Sequence, residues 1–164
     1  MAASETWRDH ARWVVALGLG ARQSEVLGMR WDDLDLDEGV WHVRGQLRRR
    51  PWRHGCPVDD PCGLEPHHCP RREAGGVYLK ATTKTTAGDR LVPLPAFVIE
   101  ALQDHRVLQQ GQQDAASDLW NPTIPGLVFT TPLGTPVDHR NDYRRWKSLL
   151  ATAGARDIRL HDAR

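Results

Sequence analysis

Between Arg48 and Gly75 the chain is dense in Pro, Cys, His and Arg and has almost no aliphatic side chain to bury. A hydrophobic core must therefore come from the two flanks, and the stretch itself reads as an insertion on a hairpin, at about residues 48–75. The amino-terminal flank is patterned. Trp7, Ala11, Val14, Val15 and Leu19 recur at helical spacing, which predicts an amphipathic helix over Trp7 to Leu19 that Gly18 and Gly20 end. Ser24, followed by Glu25, Val26, Leu27 and Met29, predicts a second short helix with Ser24 as its cap. Trp31 to Gly39 is an acidic, turn-rich link.

Strand signals lie on both sides of the insertion. Val40 to Leu47 alternates, with Trp41, Val43 and Gly45 on one face, and Gly76 to Thr82 and Arg90 to Leu94 read as two further strands. Three short strands suggest one small antiparallel sheet. Pro95 opens a helix through Gln110, whose apolar face holds Val98, Ala101, Leu102, His105 and Leu108. Gly111 to Pro125 is expected to be a polar linker and Leu127 to Thr130 a short extended piece. Tyr143, Trp146, Leu150 and Ala153 mark a helix with Gly154 past its end, and a last element begins near Arg159. The expected fold class is α+β, mostly helical, in a single domain over residues 1–164.

Composition excludes several classes. The apolar content is that of a globular chain, which removes disordered and collagen-like readings. The longest apolar stretch, Trp13 to Gly20, is too short to cross a bilayer, and no cleavable leader opens the chain. A membrane partner is not expected. Three cysteines cannot all pair with one another, so reduced thiols and a cytoplasmic setting are expected.

The net charge of +1 conceals sorting. Asp32, Asp33, Asp35, Asp37 and Glu38 form an acidic block, whereas Arg44, Arg48, Arg49, Arg50 and Arg53 form a run without an acid. Residues 140–164, which include Arg140 and Arg144, are basic again. Arginine's planar fork suits phosphate, so these residues are candidate DNA contacts; the other reading is a solvated basic loop. Within the insertion, Cys56, Cys62 and Cys69 with His54 as the fourth ligand would make a structural zinc site of the three-Cys, one-His type; His67 and His68 are close in sequence. The spacing lacks a close Cys-x2-Cys pair, and a metal-free surface loop is the default expectation.

Gly20-Ala-Arg-Gln-Ser-Glu25 resembles the first arginine box of the tyrosine recombinases, the phage-integrase family, usually written Gly-Leu-Arg-x-Ser-Glu. The continuation Val26 to Leu36, the segment from Lys84 to Pro95, Gly126 to Pro136 and the box His161-Asp-Ala-Arg164 follow in the family's order. The resemblance covers nearly the whole chain. It implies the DNA breaking-rejoining catalytic fold and a part in site-specific DNA integration. Arg22 and Arg164 would clamp the scissile phosphate, Lys84 would protonate the leaving 5′ oxygen, and His161 would take the attacking group's proton or brace the phosphate. Lys80 is the rival to Lys84. Glu25, one turn past Arg22, would orient a guanidinium or a helix end.

These residue types suit the chemistry. Fixed cations lower the barrier as the non-bridging oxygens of a pentavalent phosphorane gain charge, and no cofactor is required. The implied partners are double-stranded DNA attachment sites and other recombinase protomers, in a bacterial cytoplasm. In the family a nucleophilic tyrosine lies a few tens of residues beyond the His-x-x-Arg box. Here Tyr78 and Tyr143 are the tyrosines, and both read as core or interface residues. The expectation is thus an incomplete catalytic domain, inactive alone. Alternatives are a non-catalytic DNA-binding remnant or modulator of an intact recombinase, and a zinc-stabilised interaction module.

Overall fold

The computed structural model describes residues 8–81 and 90–163. Its helices are α1 (His10–Gly18), α2 (Gln23–Leu27), α3 (Ala96–Ala116) and α4 (His139–Thr152), with short 3-10 turns at Trp31–Asp33, Ser117–Leu119 and Leu160–Ala163. The strands are β1 (Leu34–Asp35), β2 (Val40–Val43), β3 (Gly45–Arg49), β4 (Trp52–His54), β5 (Arg72–Ala74), β6 (Val77–Ala81) and β7 (Arg90–Pro93). The α+β class is as expected.

The sheet is assembled differently from the expectation. The three-stranded antiparallel sheet is β1-β2-β7, with Trp41 opposite both Leu34 and Val92. The strand expected over Gly76 to Thr82 lies outside it. That strand, β6, instead pairs with β3 in a separate ladder that sets Leu47 opposite Leu79 and Arg48 opposite Tyr78. The single strand expected over Val40 to Leu47 is interrupted at Arg44, so one run of chain serves two ladders. The alternation itself holds across the break, with Trp41, Val43, Gly45 and Leu47 all buried.

The main core gathers Val15, Val26, Met29, Trp41, Val43, Val98, Leu102, Val128 and Phe129 from α1, α2, β2, α3 and the extended segment near residue 128. Each such side chain contributes about 1.5–3 kcal/mol by leaving water. A second cluster joins Trp13 and Ala16 of α1 to Trp146 and Leu150 of α4 and to Leu160, with the two indoles 5.5 Å apart. Gly28, just past α2, lies against the β3 backbone. A Cβ there would sit 2.7 Å from the Leu47 amide nitrogen, so only glycine lets α2 approach so closely.

Four local expectations change. Ser24 is not the α2 cap: Arg22 holds that position, because Glu25 reaches back to accept its backbone N–H at 3.1 Å. Helix α3 runs to Ala116, since Gly111 costs only about 1 kcal/mol and the Gln, Asp and Ala residues after it are adequate helix formers. The polar linker is correspondingly shorter. On α3, Leu108 is half-buried and Gln109 is buried, donating to the carbonyls of Leu127 and Val128 and accepting from the Trp31 indole at 2.7 Å. The insertion begins after Arg49, which still belongs to β3, and it contains its own hairpin, with β4 and β5 in register from Trp52↔Ala74 to His54↔Arg72.

Among the described residues no helix is long and apolar enough to cross a membrane.

Candidate functional site

Four stretches far apart in sequence enclose a hollow of about 640 Å³. Residues 21–24 enter from the start of α2, Leu47, Arg48 and Arg49 from β3, His139 and Tyr143 from α4, and Arg159 and Leu160 from the carboxy-terminal segment. The contact of Gly28 with β3 brings the first two stretches together. The third is fixed from below. Arg12 of α1 donates to Asp142 of α4 at 2.6 Å, both side chains only 3% exposed. Asp142 also accepts from Gln23 at 2.7 Å, and Gln23 donates to the His139 carbonyl at 3.0 Å, which ties the α2 entrance to the first turn of α4.

Arg22 stands at the mouth with a mostly exposed side chain. Its partner Glu25 is 1% exposed and receives four hydrogen bonds: from the Arg22 backbone N–H and Nη1, and from both Nη atoms of Arg90 at 3.2 and 2.9 Å. Burial raises the Glu25 carboxyl pKa, but the Arg90 fork, the Arg22 backbone and the two positive charges outweigh it and hold the group below its usual range. The carboxylate thus braces one guanidinium against another. Arg90 is a site residue that the sequence reading passed over. Its signal is indirect, since a carboxylate on an otherwise apolar short helix requires a cation from elsewhere.

The candidate residues fare differently. Arg22, Arg48 and Arg49 come together, joined by Arg159, His139 and Tyr143, none of which was a candidate. Arg49 also lines an adjoining hollow of about 790 Å³ with Pro51, Trp52, His67, Arg72 and Arg140. Arg44 turns to the acidic block, 3.6 Å from Asp33 and bonded to His42. Arg50 lies over the Tyr78 ring, Arg53 is exposed on β4, and Arg144 bonds Asn141 on the α4 surface. Tyr143 is not a core residue: it is exposed, and Lys147 covers its ring. Lys84 and Arg164 lie outside the described residues, as does the side chain of His161; Lys80 sits on β6 opposite Gln46.

Three cations of the basic carboxy-terminal region are held in ion pairs, Arg145 with Asp9, Lys147 with Asp157 and Arg159 with Asp162. Within the insertion, His54, Cys56, Cys62 and Cys69 do converge, their ligand atoms all within 4.8 Å of one another. A hydrogen bond shared with Cys69 pushes the Cys56 thiol up to about 11. Burial would raise Cys69 as well, but hydrogen bonds from Cys56, His54, the Arg71 backbone and Cys62 prevail and bring it to about 6.

The chain is thus a helical domain with small antiparallel ladders and an arginine-lined hollow. No family model matches the chain. It is 32% identical over 185 aligned residues to an integrase of Saccharopolyspora erythraea, covering 96% of this chain and 42% of that protein. It is 28% identical over 158 residues to a XerC-like tyrosine recombinase of Caldanaerobacter subterraneus subsp. tengcongensis, covering 96% and 37%. The chain therefore spans less than half the length of these relatives. Its fold matches that of the Tn1549 transposon integrase, solved in complex with transposon right end DNA, with a TM-score of 0.64 at 21% identity over 99% of this chain and 49% of that one. The chain belongs to the tyrosine recombinase family and shares the fold of its solved members.

Proposed function

We propose that the chain acts in site-specific DNA recombination, gripping the phosphodiester at which strands are exchanged. One observation carries this reading: Arg22, braced by a buried Glu25 that Arg90 also holds, opens onto a hollow walled by Arg48, Arg49 and Arg159. Preset guanidinium groups pair with phosphate oxygens at two points and cost no reorganisation when charge builds up in the phosphorane. Attack by a hydroxyl on phosphorus releases that hydroxyl's proton, breaks the bond to the 5′ oxygen and leaves that oxygen in need of a proton. We assign the first proton to His161, the second to Lys84, and the second guanidinium of the clamp to Arg164, following the family pattern.

Neither Tyr78 nor Tyr143 is assigned as the attacking group, so these 164 residues are proposed to bind DNA without forming a phosphotyrosine link by themselves. Exchange between two duplexes needs more than one such site, which makes other protomers partners. The setting is the compartment that holds DNA and keeps thiols reduced, the cytoplasm. The phosphate chemistry requires no metal, and the thiol cluster is proposed separately as a zinc site.

Binding of a labelled duplex by fluorescence anisotropy tests the reading. Arg22→Ala is expected to weaken binding about tenfold to a hundredfold, the worth of a charged hydrogen-bonded contact, and by the same factor on unrelated sequences. Unchanged affinity would remove Arg22 from the site. A denaturation-resistant protein–DNA band that Tyr143→Phe abolishes would make Tyr143 the nucleophile, against this reading.

A further inference from the structure

The insertion has a shape that its apolar content does not explain. β4 and β5 have three residues each and close a loop of residues 55–71, which is long for a segment without regular structure. Hairpins of this size are marginal in water unless something else holds them. Within that loop Val58 is fully exposed, Leu64 is half exposed, and Cys69 alone is buried, at 0% exposure. What surrounds Cys69 is chemistry rather than hydrocarbon. Its Sγ is 3.3 Å from that of Cys56, and the Cys62 Sγ is 3.5 Å from His54 Nδ1.

The Cys62–His54 separation is that of two ligands on one tetrahedral ion, and the Cys56 and Cys69 sulfurs reach theirs by opening about 0.5 Å. With Zn–S near 2.3 Å and Zn–N near 2.0–2.1 Å, sulfurs lie about 3.8 Å apart, and a sulfur and a nitrogen about 3.5 Å apart. The cysteine pair is also well beyond the roughly 2.05 Å of a disulfide. The ligands come from both arms of the hairpin and from the loop between them. His54 ends β4 and Cys56 follows two residues later, Cys69 precedes β5 and takes the Arg72 N–H on its carbonyl at 3.1 Å, and Cys62 comes from the loop. His54-x-Cys56 supplies the close pair that the cysteine spacing lacks.

We infer that His54, Cys56, Cys62 and Cys69 bind one zinc ion, and that this ion rather than a hydrophobic core folds the insertion. Four protein ligands leave no open position, so the ion is structural. Binding forms three Zn–S bonds from thiolates and one bond from the neutral imidazole, and whatever thiol protons remain go to solvent. The ion would fix Trp52, His67 and Arg72 as one wall of the second hollow, facing Arg49 and Arg140.

The test uses the full chain purified without chelator, with zinc measured by elemental analysis and thiols by alkylation. The expected result is one zinc per chain, with three thiols protected until the metal is stripped. Cobalt(II) added to the stripped chain should then give the thiolate charge-transfer absorption of a tetrahedral site. Cys62→Ala should weaken metal binding by more than about a hundredfold, beyond the tenfold to hundredfold of losing an outer partner, with the helical circular dichroism retained. His54→Cys should keep the site and His67→Ala should leave it unchanged. Three freely alkylated thiols with no metal taken up on reconstitution, a Cys56–Cys69 disulfide in the purified chain, or loss of binding in His67→Ala but not in His54→Ala would each overturn the assignment.

Discussion

Glu25 shows how one residue sets the positions of others. Its carboxylate takes hydrogen bonds from Arg22 and Arg90 while almost wholly out of water, so losing its charge leaves two guanidinium groups without their shared partner. Breaking a buried pair costs 3–5 kcal/mol; because Arg22 and Arg90 reach solvent, Glu25→Gln is expected to cost about 2 kcal/mol in urea unfolding. The pH dependence has a definite sign. The folded pKa lies below the usual 4.5, so this contribution is fully present above pH 4.5 and is lost as pH falls through the folded value. The urea midpoint of the parent chain should therefore drop on acidification below that point, and that of Glu25→Gln should drop less. At this scale the motif around Arg22 was legible, because its residue types and spacing are local. Arg90 was not, since the pairing joins positions on different elements and leaves no periodic trace.

Helices α1 and α4 are held together by two different means. Trp13 packs on Trp146, and Arg12 meets Asp142 in a pocket where the Arg12 Nε and Nη1 have no hydrogen-bond partner among the described residues. A pair so dry brings little net stability, yet removing one member strands the other. Asp142→Asn is expected to cost about 3–5 kcal/mol, whereas the double change Arg12→Met with Asp142→Leu should come within about 1–2 kcal/mol of the parent, measured by thermal or urea unfolding. Since Asp142 also holds Gln23, both variants should loosen the α2 entrance even where stability is kept. The sequence made the apolar stripes of α1, α3 and α4 readable. It did not reveal that Asp142 lies inward one place from Tyr143, because a buried carboxylate departs from the apolar rule and is recognised only with its partner. The make-up of the sheet is not legible for a related reason: alternation identifies strands but carries no information on which strand pairs with which.

For the whole molecule, what matters is where cations remain after internal pairing. Arg145, Lys147 and Arg159 are each held by a carboxylate, while Arg48 and Arg49 have no salt bridge among the described residues and stand together at the hollow beside Arg22. Each phosphate neutralised contributes about 0.9 to the slope of log affinity against log salt. The double variant Arg48→Ala and Arg49→Ala should therefore flatten that slope by about 1.8, whereas Arg44→Ala, whose residue faces Asp33, should leave it nearly unchanged. Anisotropy titrations at several salt concentrations decide both. Composition pointed to arginine-rich stretches; which of them meet was not legible, because the acids that cancel them lie up to 136 residues away.

The hollow beside Arg22 draws its walls from residues 21–24 and 47–49, from His139 and Tyr143, and from Arg159 and Leu160. A ribosome delivers these in that order, and domains generally fold as units, so most of the chain's arginines are synthesised well before the hollow that gathers some of them is complete. Until the stretch around Leu160 docks on Trp13 and Trp146, the hollow lacks one of its walls, and its arginines are brought face to face only when residues far apart in the order of synthesis pack together.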